Sequence, residues 1–448
     1  MSETANNKKY ISRHILPTST NLLGLCFVFL SVIRVLKLGN DTIIDELAAI
    51  AILFFLLSGT LREEYELANG KERSCWLKVN GSVFKIMVFL LTCCFVAVGI
   101  EVSAKENIKP PSVWRFVSIP DFLNNDVAYP EPKWDQALDY VLGAIKEENP
   151  DFVVVAGDLV MGHWSKNKKD IQNKARVYYP AWIKRMQAYG LNFYAAVGDH
   201  ELGDDPWEGK KKLLVHFYEK AFRKYLQMPG NGPEHMKGLA FSVLHENMLI
   251  IVVDVFEKDT NGDVTIGVSG EQLAWVKKTL EKNKDVKHVA VIGHVPILPG
   301  WKARSSSQLS IKSGSKSELW QTFEKYGVDL YLCGEVHDIS IQRKGNVHQI
   351  VHGSQPSHVP EFNYLLVTVF PDRMELELKQ IDTILEGDQG GGYKYANRIV
   401  RISKEKKKEG FVTVGKMTIR KHGKQKQFEY KEGVFKNRFS NLDENPKL

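Results

Sequence analysis

The sequence predicts a membrane-attached α/β protein, a soluble domain with a layered sheet preceded by about three transmembrane helices. Three observations carry this. Long apolar runs crowd the first hundred or so residues, short β-like runs alternate with amphipathic helices from Val113 onward, and acidic residues and histidines recur where predicted strands end. The chain has 448 residues, the apolar and charged fractions of ordinary globular protein, and a net charge of +7 that does not demand a nucleic-acid partner.

The apolar runs are Leu22 to Leu36, interrupted by Arg34, then Leu47 to Leu61, and Val83 to Ile100 with Lys85 close by. Ile43 and Ile44 extend the second run to a length that spans a hydrocarbon core of roughly 30 Å. We therefore expect helices at about 20–38, 43–61 and 82–103 within a membrane region 1–104, in preference to a buried soluble hairpin. The strongest run starts too late for a secretory signal peptide. Lys8, Lys9 and Arg13 precede the first run, and Arg62, Lys71, Arg73 and Lys78 separate the second from the third, whereas the first loop has only Arg34 and Lys37. The three runs predict an integral membrane protein, and the positive-inside bias predicts a cytoplasmic amino terminus and second loop, with everything after Ile100 extracytoplasmic. Residues 105–112, with Pro110 and Pro111, read as a stiff linker. Few polar residues interrupt the spans, so a transporter or channel fits poorly. Cys333 stands alone after Cys94, and the soluble part can form no internal disulfide.

The soluble domain is expected over 113–383, with a basic extension over 384–448. WRFVSI reads as a strand, KWDQALDYVLGAIKEENP as a helix closed by Pro150, DFVVVAGD as a buried strand and ARVYYPAWIKRMQAYG as a helix ending on Gly190. NFYAAVGDHE repeats the passage from strand to polar turn. A helix follows from Leu213 to about Tyr225, then a strand pair in FSVLHENMLIIVVDVF, a helix at EQLAWVKKTLEKN, a strand in KHVAVIGHVPI, a helix at ELWQTFEKYG and a strand in DLYLCGEVHD. YLLVTVF and MELELKQI are strand-rich.

Every chemistry-bearing cluster lies at the carboxyl end of a predicted strand: Asp121 after RFVSI, Asp158, Asp199 with His200, His294, and Glu335 with His337. Ligand crevices form along that edge of α/β sheets. One acidic turn is unremarkable; five delivered to one edge point to a site.

The pattern resembles the calcineurin-like metallophosphoesterase family, whose motifs run DxH, GD, GNH followed by Asp or Glu, GH, and GHxH. The counterparts are Ile119–Asp121, Gly157–Asp158, Gly198–Glu201, Gly293–His294 and Gly334–His337, in the same order. QLAWVKKTL, from Gln272, is similar to the family's helix before the GH strand, and the likeness covers roughly Val113 to Val369. It implies a layered β-sandwich flanked by helices. Carried over by position, one divalent ion would take Asp121, Asp158 and His337, and a second Asp158, Asp199, His294 and Glu335. His200 would contact the phosphate and protonate the leaving oxygen, with Glu201 orienting it.

Three positions depart from the family: Ile119 replaces the first aspartate, Asp199 an asparagine, and Glu335 a histidine. Asp121 fills the second ligand position, or is itself the first aspartate with a shifted turn that brings Asn124 or Asp126 within reach. Extra carboxylates favour harder cations such as Mn, Fe, Mg or Ca over an all-nitrogen Zn site. The implied activity is hydrolysis of a phosphate mono- or diester by a metal-activated water. The alternative is a non-catalytic phosphoesterase-fold module tethered to the membrane for binding or sensing, favoured by Ile119.

Other features carry less. KEKKK at Lys404 to Lys408 and RKHGKQK at Arg420 to Lys426 read as a solvated or flexible extension; they lack the interleaved aromatics of a nucleic-acid surface. GDQGGGY at Gly387 to Tyr393 lacks the closing residues of a P-loop and reads as a mobile loop. His352, His358, Trp164 and Trp207 are candidate crevice walls, with loop or core positions as the plainer reading. Gly203 to Trp207 is expected to turn and cap the next helix, with Asp204 and Asp205 at its start.

Overall fold

A computed structural model describes residues 113–122, 132–160, 162, 164, 167–259, 261–302, 304, 306–353, 360–386, 399–423 and 425–444. The chain divides into two compact units, Met1–Asn107 and Ile108–Leu448. All described residues belong to the second. The expected membrane helices and linker lie outside them, as do Asn124, Asp126, His358 and Gly387 to Tyr393. Among the described residues no helix is long and apolar enough to cross a membrane.

Strands β1 (Trp114–Ser118), β2 (Phe152–Val155) and β3 (Phe193–Ala195) run parallel, joined through helices α1 (Pro132–Glu147) and α2 (Lys168–Ala188). Helix α1 forms because Leu138, Val141, Leu142 and Ile145 recur on one face and are all sealed from solvent. Helix α2 begins earlier than its apolar residues suggest. The Asn167 side chain accepts from the Asp170 amide and caps a polar first turn.

After α3 (Val215–Leu226), β4 (Phe241–His245) and β5 (Met248–Val252) form a hairpin. A small pair, β6 (Phe256–Lys258) and β7 (Val264–Ile266), leads to α4 (Gly270–Lys282) and β8 (His288–Ile292). Helix α5 (Glu318–Tyr326) follows, capped by Ser317 and ended by left-handed Gly327, and then β9 (Leu330–Cys333). Strands β10 (Ser340–Lys344) and β11 (Val347–Val351) complete the centre of this second sheet. The chain then returns to the first sheet with β12 (Glu361–Val369) and β13 (Arg373–Asp382), antiparallel to each other.

The stretch expected as a basic extension is folded into both sheets. Strands β14 (Ile384–Glu386) and β15 (Ile399–Arg401) pair, and α6 (Lys404–Glu409) carries the KEKKK run. Strands β16 (Val412–His422) and β17 (Gln425–Gly433) extend the first sheet beyond β13, and after α7 (Val434–Asn437), β18 (Phe439–Asn441) pairs with β10 in the second. The reason lies in the alternation of VTVGKMTIRKH. Met417 and Ile419 are buried while the flanking Lys416 and Arg420 keep contact with solvent.

The sheet orders are β17-β16-β13-β12-β1-β2-β3 and β18-β10-β11-β9-β8-β5-β4. One apolar core joins strand residues of both sheets, including Phe116, Val154, Ile250, Ile292 and Leu332. A second joins the opposite strand faces, such as Val117, Val153, Ile251 and Val291, to helices α1, α2, α4 and α5. Mixed sheets face each other and helices flank them, as expected.

Candidate metal centre

The carboxyl ends of β1, β2, β3, β8 and β9 supply the site. Each strand passes at once into a tight turn, and Asp121, Asp158, Asp204, Glu335 and His337 hold positive φ between 52° and 71°. Left-handed backbone at non-glycine residues is strained, and such strain concentrates at functional sites. Gly157, at φ 88°, leaves room for the His294 ring, which a Cβ there would strike. A Cβ on Gly334 would lie 2.6 Å from the Asp121 carboxylate.

Asp121, Asp158, Asp199, His294 and Glu335 are sealed from solvent. Ligand atoms of Asp121, Asp158 and His294 lie within 4.8 Å of one another, and so do those of Asp199, His294 and Glu335. His294 is the hub. Its Nδ1 faces the Ala156 carbonyl at 2.8 Å, which directs Nε2 inward to Asp199 Oδ1 at 2.9 Å, Asp158 Oδ1 at 3.4 Å and Glu335 Oε2 at 3.5 Å. Asp121 Oδ1 accepts from the Glu335 amide at 3.1 Å, whereas its Oδ2 is buried with no hydrogen-bond partner.

The electrostatics follow from burying four carboxylates around one imidazole. Burial pushes the Asp121 carboxyl up to about 7, and burial with the Asp199 charge beside it pushes Glu335 to about 7. Burial also raises Asp158 well above the usual carboxylate range. Asp199 is the exception: burial works upward, but His200 and His294 hold it below its ordinary value. Burial alone would strip His294 of its second proton, yet Asp158, Asp199 and Glu335 raise it well above its ordinary value. Acids this crowded are stable as anions only beside cations. The orphaned Asp121 Oδ2 and the all-oxygen surroundings of one imidazole therefore fit one or two divalent ions.

His200 groups with Asp158 and Asp199. Its Nε2 is 3.8 Å from Asp158 Oδ2 and 3.8 Å from Asp204 Oδ1. Glu201 departs from its expected role. Its Oε2 accepts from the Asp158 amide at 2.8 Å and the Gly198 amide at 2.9 Å, and Oε1 from the Val160 amide at 3.1 Å, so the carboxylate ties two turns together rather than reaching the imidazole. His337, expected beside Asp121 and Asp158, turns Nδ1 to the Arg304 carbonyl at 3.2 Å, and His294 takes its place in that group.

Sequence reasoning placed Asp204 and Asp205 at a helix start, whereas they group with Asp199. They do not cap α3, whose N-cap is Leu214. The signal was present as an acidic pair directly after the GDHE turn. Buried His352 meets Ser118 Oγ at 3.0 Å, and burial pushes it down to about 3, which keeps it neutral between the sheets. Trp207 donates Nε1 to the Leu202 carbonyl at 3.1 Å, and Trp164 stacks on Tyr218.

Fold and site together present buried carboxylate and histidine groups that could hold divalent ions. Residues 126–338 match the model of the calcineurin-like phosphoesterase family. The uncharacterized metallophosphoesterase-like protein YydB of Bacillus subtilis is 25% identical over 265 residues, 52% of this chain and 51% of that protein. The chain thus spans about half the length of this curated relative. Among solved structures, GAP50, the anchor in the inner membrane complex of Plasmodium, aligns with a TM-score of 0.38 at 15% identity over 65% of this chain and 90% of its own. The 5′-nucleotidase of Candida albicans aligns with a TM-score of 0.34 at 12% identity over 61% of this chain and 53% of its own.

Proposed function

We propose that the protein is a membrane-anchored phosphoesterase that hydrolyses a phosphate mono- or diester on the extracytoplasmic side. The observation that carries the chemistry is the buried group of Asp121, Asp158, Asp199 and Glu335 around His294, with Asp121 Oδ2 unsatisfied. Asp158, Asp199, His294 and Glu335 would hold one cation; Asp121 and Asp158, with His337 as the remaining residue of the expected set, would hold a second. Bound divalent ions supply Lewis acidity, charge neutralisation on the phosphate and a nucleophilic water at neutral pH. The Ala156 carbonyl fixes the His294 ring so that Nε2 is the ligand atom, and metal loading requires that its proton leave. His200, at the rim of the group, protonates the leaving oxygen. Glu201 holds the Asp158 and Asp199 turns in register through three backbone amides. Membrane anchoring rests on the apolar runs before Ile100 and the Lys and Arg between them.

One observation favours the second reading, a non-catalytic module that binds ligand without turnover. Ile119 stands where the family has an aspartate, and it is buried in the apolar core.

The full chain in detergent, loaded with Mn²⁺, is expected to hydrolyse an aryl phosphate monoester or diester, and a chelator should abolish this. His200→Ala should lower kcat by about 10²- to 10⁴-fold. Bound metal without turnover across the panel would establish the binding module instead. Protection of residues after Ile100 from protease on the cytoplasmic side of intact vesicles tests the topology.

A further inference from the structure

Between β8 and α5 the chain passes over the GEVH turn, and three hydrogen bonds hold it there. The Arg304 amide donates to the Val336 carbonyl at 2.8 Å, the Arg304 carbonyl meets His337 Nδ1 at 3.2 Å, and the Leu309 amide donates to Glu335 Oε1 at 3.1 Å. A fourth tie reaches the turn after GDHE, where the Ser307 hydroxyl donates to Asp205 Oδ1. This strap is bent at some conformational cost. Gln308 is exposed, yet its backbone is left-handed at φ 61°, which is unfavourable for any residue with a side chain. Its amide donates to the Ser306 hydroxyl at 3.2 Å, and the next amide along is the one that reaches Glu335.

A glutamate can offer a cation one oxygen or both. In Glu335 the two oxygens have different commitments. Oε1 is engaged by the Leu309 amide, and Oε2 is the one turned toward His294 Nε2, at 3.5 Å. We propose that the strap is the positioning element of Glu335: the Leu309 amide holds one carboxylate oxygen back, so that the other alone faces the cation. This rests on the reading of Glu335 as a metal ligand. The strap treats His337 as the Ala156 carbonyl treats His294, with a backbone carbonyl at Nδ1 of each ring. One segment of backbone thereby sets the donor atoms of both chemistry-bearing residues in the GEVH turn. The left-handed bend at Gln308 is what aims the Leu309 amide at the carboxylate.

The test measures Mn²⁺ dissociation constants of the full chain from the free Mn²⁺ signal in electron paramagnetic resonance, without reference to turnover. Valine resists left-handed backbone, so Gln308→Val should draw the Leu309 amide off Oε1 and weaken Mn²⁺ binding by about 10- to 100-fold. Glycine adopts that backbone freely, and Gln308→Gly should bind Mn²⁺ within about twofold of the parent. Glu335→His offers a single nitrogen and gives Leu309 no carboxylate to hold. In that background Gln308→Val should weaken binding no further. Thermal midpoints in chelator identify loss of folding; should Gln308→Val unfold, Gln308→Ala carries the test with a smaller loss in the same direction. Should Glu335→His bind no Mn²⁺, the comparison of the Val and Gly variants decides. Parent-like affinity in a folded Gln308→Val overturns the proposal, as does equal weakening in the Val and Gly variants, or a loss that persists in full beside Glu335→His. Each of these leaves the metal centre standing. A parent that binds no Mn²⁺ defeats the reading of Glu335 as a ligand, and this proposal with it.

Discussion

Asp329, just before β9, and Asp158, at the end of β2, are both sealed from solvent, yet their surroundings are opposite. Asp329 Oδ2 accepts from the Val289 amide and from Lys421 Nζ, each at 2.8 Å, and Oδ1 meets Lys426 Nζ at 2.7 Å. Lys421 also donates to the Lys287 carbonyl at 2.6 Å, and Lys426 to the Val328 carbonyl at 2.8 Å. This charge is neutralised within the chain, although Asp329 Oδ1 faces its lysine as an ion pair without hydrogen-bond geometry. Around Asp158 the chain provides three more acids and two imidazoles, His294 and His200, and leaves an oxygen of Asp121 unpaired. A buried charge that serves the fold is neutralised by the fold; one that serves chemistry is left for a cation to finish.

The largest test of this contrast is Asp329→Ala, which leaves two buried lysines without their anion. It should cost about 3–5 kcal/mol of unfolding free energy by denaturant titration. A loss within experimental error would erase the distinction. Next, Mn²⁺ at about a hundred times its dissociation constant should stabilise the parent by about 2.7 kcal/mol, seen as a rise in thermal midpoint. Asp121→Asn acts in the reverse direction to Asp329→Ala. In chelator it should be neutral or up to about 1 kcal/mol more stable than the parent, and its response to Mn²⁺ should shrink.

The smallest effect is a pair of opposed pH slopes in chelator. Asp121 and Glu335 are raised to about 7 from ordinary values of 3.8 and 4.5, so between those values the folded state binds protons that the unfolded chain has released. Stability should therefore rise as pH falls from about 7 toward 5, and Mn²⁺ should flatten that slope. For Asp329 burial works upward, but Lys426 and Lys421 hold the folded carboxyl below its ordinary 3.8. Its contribution is present above that value and is lost as pH falls through and below it. Midpoints measured across the range in the parent and in Asp329→Asn separate the two.

The same contrast explains what could be read from the sequence. Asp121, Asp158, Asp199, His294 and Glu335 were legible because parallel strands end on one edge, and strand ends show as apolar runs that stop at Pro-Asp, Gly-Asp, Gly-His or Gly-Glu. Asp204 was not, because its approach to His200 depends on two left-handed residues in a row, which leave no periodic trace. His337 and Glu335 stand two apart in one turn, both with left-handed backbone, so their side-chain directions do not follow from spacing. The Glu201 side chain was drawn away by three backbone amides whose position only the folded turns define. Past Ile384, basic residues hid a period-two alternation. Lys421 and Lys426 looked solvated because Asp329, their partner, is remote in sequence.

That remoteness has a consequence for synthesis. Lys421 stands 92 residues after Asp329, so a chain leaving the ribosome presents the acid long before its first lysine. Until then the Asp329 carboxyl lacks its ammonium partners, and the pairing of β8 with β9, whose ends carry His294 and Glu335, is expected to be less stable. The metal-binding edge is therefore expected to form late in translation. A stalled chain that stops short of β16 would leave the site's own strands exposed to chaperone or protease rather than assembled and idle.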